Sequence, residues 1–251
     1  MTRALITGCS TGIGRATAIE LKKRGLEVVA TARRPETLND LDVDERLALD
    51  VTDDASVANA LVAAGEIDVL VNNAGIGVGG PVESVPLDEV RRLMETNFFG
   101  VVRMMQAFIP QMRARGRGTI VNVSSVEGVR GYPPDPVYAA CKAAVVHFTR
   151  SLGVEVAGKG VKVNGIAPDL TESAQVDYSR EPDEMWPTWA PVGRKGKPVD
   201  QARVLLFLAS DLSDFLVGHT IPTDGGSLAA GGWFPSTRRK GRSWTNRPHD
   251  P

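Results

Sequence analysis

Short apolar runs alternate with longer amphipathic stretches along almost the whole chain. Runs of four to eight apolar residues near 3–7, 26–31, 46–49, 67–72, 118–124, 161–167 and 219–222 predict strands. Stretches near 13–24, 54–64, 87–114, 137–157 and 199–209 carry helical periodicity. Strand–helix alternation of this kind argues a parallel sheet with helices on both faces, and right-handed crossovers make it doubly wound. Ligands of such sheets bind outside the carboxyl ends of the strands. Gly8, Asp50, Asn72, Ser125 and Pro168 each follow a predicted strand, so they are expected to converge on that edge. The helix around VYAACKAAVVHFTRSL is apolar or small around much of its circumference, which predicts a buried helix with a partner on its outer side.

Composition narrows the picture. A chain of 251 residues with 42% hydrophobic residues can bury one sizeable core. No linker or internal repeat divides it. A net charge of −1 gives no reason to expect nucleic acid or an anionic membrane as partner. No apolar run approaches the length of a membrane span. The first strand begins almost at the N-terminus, so no signal peptide and a cytoplasmic location are expected. Cys9 lies in a glycine-rich turn and Cys141 in a predicted helix, which argues against a structural disulfide. No Cys/His cluster has metal-ligand spacing, and no metal is expected.

Two motifs carry chemistry. Tyr138 and Lys142 are four apart on a helical stretch, so their side chains share one face. A phenol titrates near ~10, and a neighbouring ammonium should lower that value, making the tyrosine a proton donor or acceptor for an alcohol or carbonyl oxygen. Ser125, closing the strand-like GTIVNVSS, could hold the same oxygen. A surface Tyr–Lys pair would show the same spacing. The second motif opens the chain: Gly8, Gly12 and Gly14 form G-x-x-x-G-x-G between a strand and an amphipathic helix. Glycines let backbone approach a pyrophosphate closely, and the helix N-terminus offers free N–H groups. A tight turn before a helix would read the same way without the flanking elements.

These motifs, in this order, resemble the short-chain dehydrogenase/reductase family over about residues 3 to 226. Thr7 to Gly14, including Ser10, Thr11 and Ile13, match its cofactor turn. Asn72, Asn73, Ala74 and Gly75 match its N-N-A-G. Asn97, Ser125, Tyr138 and Lys142 match its catalytic tetrad, and VKVNGIAPD and FLASDLSDFLVGHTIPTDGG its later blocks. The resemblance implies a single Rossmann-type α/β domain over 1–226, nicotinamide-dependent hydride transfer on a small carbonyl or alcohol substrate, and a homotetramer, with a homodimer as the smaller alternative. It implies that Asp50 and Val51 meet the adenine, that Asn97 bends its helix and holds a water leading to the lysine, and that Lys142 holds the nicotinamide ribose. For Asn72 and Asn73, support of the neighbouring strand and contact with the cofactor remain equal alternatives.

The sequence also departs from the family. Pro168 is followed by Asp169 where the family has glycine; aspartate tolerates left-handed geometry better than most residues. The family's threonine five residues after the proline falls on Ser173, with Thr171 as a nearby alternative. The stretch 174–198, with Tyr178, Trp186 and Trp189, reads as a lid over an apolar substrate. His147 reads as a packing or interface residue. At the end of the second strand, Ala32 stands where NAD-binding relatives of such folds carry an acid, and Arg33 and Arg34 follow. A guanidinium matches phosphate geometry, so NADP(H) is the expected cofactor, with NAD(H) second. Residues 227–251 form an extension with three aromatics and five basic residues, expected to pack on its own or a neighbouring subunit. The alternatives in function are an NAD-dependent alcohol dehydrogenase and a nucleotide-sensing protein that has lost catalysis; the intact tetrad argues against the latter.

Overall fold

The computed structural model describes all residues except 78–79, 174–177, 180, 236–243 and 246–251, and the backbone alone of 234–235 and 244–245. Seven parallel strands form the central sheet: β1 (Arg3–Ile6), β2 (Glu27–Ala32), β3 (Glu45–Ala48), β4 (Val69–Asn72), β5 (Gly118–Val123), β6 (Val161–Pro168) and β7 (Thr220–Thr223). Their order is β3-β2-β1-β4-β5-β6-β7, so the winding reverses between β1 and β4 and opens a crevice at their carboxyl ends. The helices are α1 (Gly12–Lys23), α2 (Asp54–Ala64), α3 (Leu87–Met94), α4 (Gly100–Ala114), α5 (Pro136–Ala157), the short α6 (Trp186–Trp189), α7 (Pro198–Ala209) and the single turn α8 (Ser227–Ala230).

The strands are apolar on both sides because both faces are covered. Ala4, Ile6, Val28, Ala30, Val69 and Val71 pack in one core with Ala18 and Leu21 of α1 and Leu205 and Leu208 of α7. Leu5, Val29, Leu70, Ile120 and Val163 face the other way, against Val57 of α2, Phe108 of α4 and Leu152 of α5. Several buried polar residues interrupt the sheet, and one pair joins two strands to a helix. Asn72 and Asn122 are register partners on β4 and β5; Asn72 Nδ2 donates to Asn122 Oδ1 at 2.9 Å, and Asn122 Nδ2 to Thr149 Oγ1 on α5 at 2.9 Å. That chain of bonds ties α5 to the sheet and gives Asn72 the supporting role of its two readings.

The stretch expected as one helix over 87–114 is three segments. A π-helical turn, Glu95–Phe99, separates α3 from α4, with Asn97 inside it. The extra residue rotates α4 relative to α3, a local device common at functional sites. It also carries Gly100 against Val51, where a Cβ would stand 2.7 Å from Val51 Cγ2.

The described part of the extension continues from α8 to Trp233, and an antiparallel pair, β8 (Phe234–Pro235) with β9 (Trp244–Thr245), follows, β8 lying beside α6. The basic residues Arg238, Arg239, Lys240, Arg242 and Arg247 lie outside the described residues. Among the described residues, no helix is long and apolar enough to cross a membrane, and no group of three or more His, Cys, Asp and Glu is placed to hold a metal ion. Cys9 and Cys141 are buried free thiols.

Candidate active site

The turn after β1 is held by its neighbour across the crevice. Thr7 Oγ1 accepts from the backbone N–H groups of Asn73 and Ala74, each at 2.9 Å, and Asn73 Nδ2 donates to Thr7 O at 2.9 Å and Gly8 O at 3.1 Å. The side-chain amide of Asn73 is therefore committed to the turn itself. Two glycines are required here. Gly8 has φ +74°, and a Cβ on it would stand 2.9 Å from Ala74 Cα. A Cβ on Gly14 would stand 2.3 Å from Gly8 O and 2.4 Å from Asn73 Nδ2.

The N-terminus of α1 faces this turn with unused donors. Thr11, extended at φ −151°, is the N-cap but gives no side-chain cap, and the first turn holds no acid. The first backbone bond into the helix is Arg15 N to Thr11 O at 3.4 Å, which leaves the N–H groups of Gly12, Ile13 and Gly14 to an anion. Ser10 and Thr11 add hydroxyls beside them. At the end of β2, Ala32 is buried and Arg33 and Arg34 are exposed, and among the described residues neither guanidinium has an ion pair or hydrogen bond. Asp50 follows β3, its Oδ1 accepting from Thr52 N at 2.9 Å and Thr52 Oγ1 at 2.7 Å; Val51 is buried against α4. These donors and open glycines fit a dinucleotide laid across the carboxyl edge from β3 to β6.

Asn97 has both ends of its amide in use. Oδ1 accepts from Ile76 N and Nδ2 donates to Ile76 O, both at 2.8 Å, and a Cβ on Gly75 would meet Oδ1 at 3.3 Å. Asn97 thus fixes the strand following Ala74 and Gly75, in addition to sitting in the π turn.

Ser125, Tyr138 and Lys142 come together because the loop after β5 is strapped to α5. Ser124 Oγ donates to Lys142 O at 2.8 Å, and Gly128 packs so closely that a Cβ would stand 2.7 Å from the carbonyl carbon of Lys142. Neither residue was singled out from the sequence; a serine pair followed by glycine in a turn carries no signal of its own. Asp135 caps α5 by accepting from Tyr138 N at 2.9 Å, with Pro136 at the first helical position. The Ser125 hydroxyl lies beside the Tyr138 phenol, where it pulls the phenol's pKa down, and donates to Pro168 O at 3.5 Å. Lys142 is buried, its Nζ donating to Val123 O at 3.1 Å and lying 5.6 Å from the centre of the Tyr138 ring.

The electrostatics differ from the sequence expectation. Burial pushes the Tyr138 phenol up to about 12, against the downward pull of Ser125. Burial also brings Lys142 down to about 8. Desolvation is the largest cause of both shifts, and the Lys142 ammonium is turned to the backbone carbonyl of Val123.

The turn after β6 also differs. Asp169 keeps φ negative, and Leu170 takes the positive value, +35°. Thr171 Oγ1 donates to Asp169 O at 2.7 Å and accepts from Gln201 Nε2 at 2.9 Å, so its hydroxyl belongs to the turn. Ser173 is the residue that reaches the glycine turn: a Cβ on Gly12 would meet Ser173 Cβ at 3.5 Å. In the lid stretch, Tyr178, Trp186 and Trp189 stack edge to face, with ring centres 5.5 and 5.7 Å apart. Its residues 174–177 and 180 lie outside the described residues. His147 is exposed on the outer side of α5.

Comparison with known proteins agrees with this geometry. A family profile described as short chain dehydrogenase matches residues 2–184. The 3-oxoacyl-[acyl-carrier-protein] reductase FabG of Thermotoga maritima is 36% identical over 235 residues, covering 88% of this chain and 96% of its own. A 2-dehydro-3-deoxy-L-rhamnonate dehydrogenase (NAD(+)) from a Sphingomonas strain is 35% identical over 240 residues, covering 89% and 94%. Among solved structures, ElxO with NADP bound superposes with a TM-score of 0.83 at 30% identity, covering 91% of this chain and 99% of that one.

The buried ammonium makes a testable demand on stability. An unfolded lysine titrates near ~10.4, above the folded value of about 8. Below the folded value both states hold the proton and burial costs its full amount. Between the two values the unfolded chain binds more protons, so this site's contribution to stability rises with pH. Lys142→Met is therefore expected to be more stable than the parent in urea unfolding near pH ~7, with the gap closing by pH ~10. A gap of constant size across that range would show that Lys142 is not held against its charge.

Proposed function

The chain belongs to the short-chain dehydrogenase/reductase family and is an oxidoreductase of the CH–OH/C=O pair, and from that premise we propose that it is an NADP(H)-preferring enzyme reducing a ketone to a secondary alcohol, or the reverse, through Asn97, Ser125, Tyr138 and Lys142. The observation that carries this reading is Ser125 standing beside the Tyr138 phenol, next to a buried Lys142. A substrate oxygen set between the two hydroxyls would bond both. In reduction, Tyr138 gives its proton to that oxygen and Ser125 donates to it as charge develops. Ser125 is buried and Tyr138 half-buried, which strengthens these bonds. The bound nicotinamide supplies the hydride. Lys142 would hold its ribose, the free N–H groups of Gly12 to Gly14 the pyrophosphate, and Ser173 the nicotinamide end. Asn97 keeps the wall after β4 in place.

The preference for NADP(H) rests on what stands at the end of β2. Ala32 offers no carboxylate to the adenosine ribose, and Arg33 and Arg34 are exposed without partners among the described residues. An arginine without a partner can form bidentate bonds to a 2′-phosphate with no competing ion pair to break.

Assembly follows from α5. Its inner side is buried, while Val154 is 74% exposed and Phe99, at the start of α4, 47%. Phe98 and Phe148 meet edge to face at 5.7 Å between them. An apolar face of this kind suits a second copy. The reading is a homotetramer with this face in one interface.

Three measurements test these statements. With a panel of ketones followed at 340 nm, the parent is expected to turn over at least one, and Tyr138→Phe to lose about two to four decades of activity with cofactor binding nearly unchanged; near-normal turnover in the variant refutes the proton role. NADPH is expected to exceed NADH by at least about tenfold in kcat/KM, about 1.4 kcal/mol, with Arg33→Ala reducing NADPH use far more than NADH use. Equal use of both by the parent would mean the arginines serve something else. Light scattering at micromolar concentration is expected to give an oligomer, and a monomer would remove the interface.

A further inference from the structure

The Asp169 that replaces the family glycine is one corner of a charge cluster beside the reacting serine. Arg130, in the loop between β5 and α5, donates from Nη2 to Glu127 Oε1 at 2.9 Å and Asp169 Oδ2 at 3.0 Å, and from Nε to Glu127 Oε2 at 3.2 Å. The side chains of Glu127 and Asp169 are only 9% and 7% exposed. Ser227 Oγ bonds Asp169 Oδ2 and lies 3.3 Å from Asp224 Oδ2. Two carboxylates thus hold one guanidinium, a formal charge of −1, and Ser227 links a third carboxylate, Asp224, to the cluster. The cluster flanks the site from two directions: Glu127 N donates to Ser125 Oγ at 3.2 Å, and Pro168, whose carbonyl faces the same hydroxyl, directly precedes Asp169.

On its other side Arg130 lines a cavity of about 170 Å³ with Trp189, Trp233, Pro187, Pro191 and Ser227. Trp189 is 36% and Trp233 51% exposed. The cavity does not include Ser125, Tyr138 or Lys142; Arg130 is what joins the two places. Its Nε and Nη2 hydrogens are taken by the carboxylates, while Nη1 makes one long bond, 3.5 Å, to Ser227 Oγ. Nη1 therefore retains donor capacity toward a ligand. An anion placed there gains little from a guanidinium already matched by two carboxylates and meets the surplus negative charge of the cluster. The nearby cation Lys195 is itself paired with Glu172.

We infer that this cavity is the distal substrate subsite and that it takes the neutral, ring-bearing end of a ketone or alcohol while rejecting carboxylates and phosphates. The ring packs against Trp189 and Trp233, and an uncharged oxygen accepts from Arg130 Nη1. Glu127 and Asp169 set specificity through Arg130. The inference rests on the oxidoreductase reading above.

The test uses two ketones of the same shape, 4-acetylbenzamide and 4-acetylbenzoate. The full-length parent with NADPH is expected to favour the amide in kcat/KM by about tenfold or more, and calorimetric titration of the two compounds to give the same order of affinity. Asp169→Asn and Glu127→Gln keep size while removing one charge each, and each is expected to shrink the ratio by about threefold or more, chiefly through KM. Equal or better use of the carboxylate by the parent overturns the inference, as does an amide preference that neither variant moves. If no ketone is turned over, the oxidoreductase reading fails, and the titrations alone decide whether the cavity prefers the neutral ligand.

Discussion

The close approach of the turn after β1 to the loop after β4 is the constraint on which the rest of the structure depends. Gly14 lies so near Gly8 O and Asn73 Nδ2 that no side chain fits, and Asn73 and Thr7 close the contact with bonds in both directions. A bond of this kind is worth only about 1 kcal/mol net. Its geometric effect is larger. It keeps α1 seated at the switch in strand order, so that the free N–H groups at its start point along the crevice and not at the sheet. It also positions Gly75 and Ile76, which Asn97 then holds from the π turn. One chain of contacts links the proposed phosphate-binding end to the proposed catalytic end.

The catalytic end is built at a cost in stability. Lys142 and Tyr138 are both withdrawn from water, and each is driven toward its neutral form. What retains them is packing: the Gly128 contact, the Ser124 bond to Lys142 O and the Asp135 cap hold α5 against the loop after β5. The polar bridge from Asn72 through Asn122 to Thr149 holds the same helix to the sheet from below. A raised pKa keeps the phenol in its proton-bearing form and makes it the weaker acid. A lysine near neutrality can change its charge when groups bind beside it, which gives the pair a range of states in a site that excludes solvent.

Much of this was legible in the sequence, and what was not has a physical cause. The inner strands of the sheet are legible because strands buried on both faces are largely apolar, and the half-exposed edge strands β3 and β7 are legible from their place in the strand–helix alternation. The motif spacing of the glycine turn and of Ser125, Tyr138 and Lys142 is local and so stands in the sequence. The π turn does not, since one extra helical residue leaves the apolar pattern of 87–114 nearly unchanged. The direction of the Tyr138 shift was misread because a sequence shows that a lysine is near but not how much water both have lost. Thr171 was a candidate for the cofactor until Gln201, thirty residues on, was seen to share its hydroxyl. The role of Arg130 is not legible because one of its two carboxylate partners, Asp169, is 39 residues away.

Asp169 shows how a departure from a family pattern can be absorbed and then used. Glycine at this place would let the chain turn freely. With aspartate, the left-handed conformation moves one residue on, to Leu170 at φ +35°, where a leucine is strained. The carboxylate compensates directly: Oδ1 accepts from Leu170 N at 2.9 Å, and Oδ2 is held by Arg130 and Ser227. The acid thus supports the turn and ties it to the loop beside Ser125 and to α8. A residue that first had to solve a backbone problem thereby fixes the position of Arg130 and the charge around it. Local strain, the seating of the C-terminal turn and the polarity of the mouth depend on one side chain, so none of the three can change independently of the others.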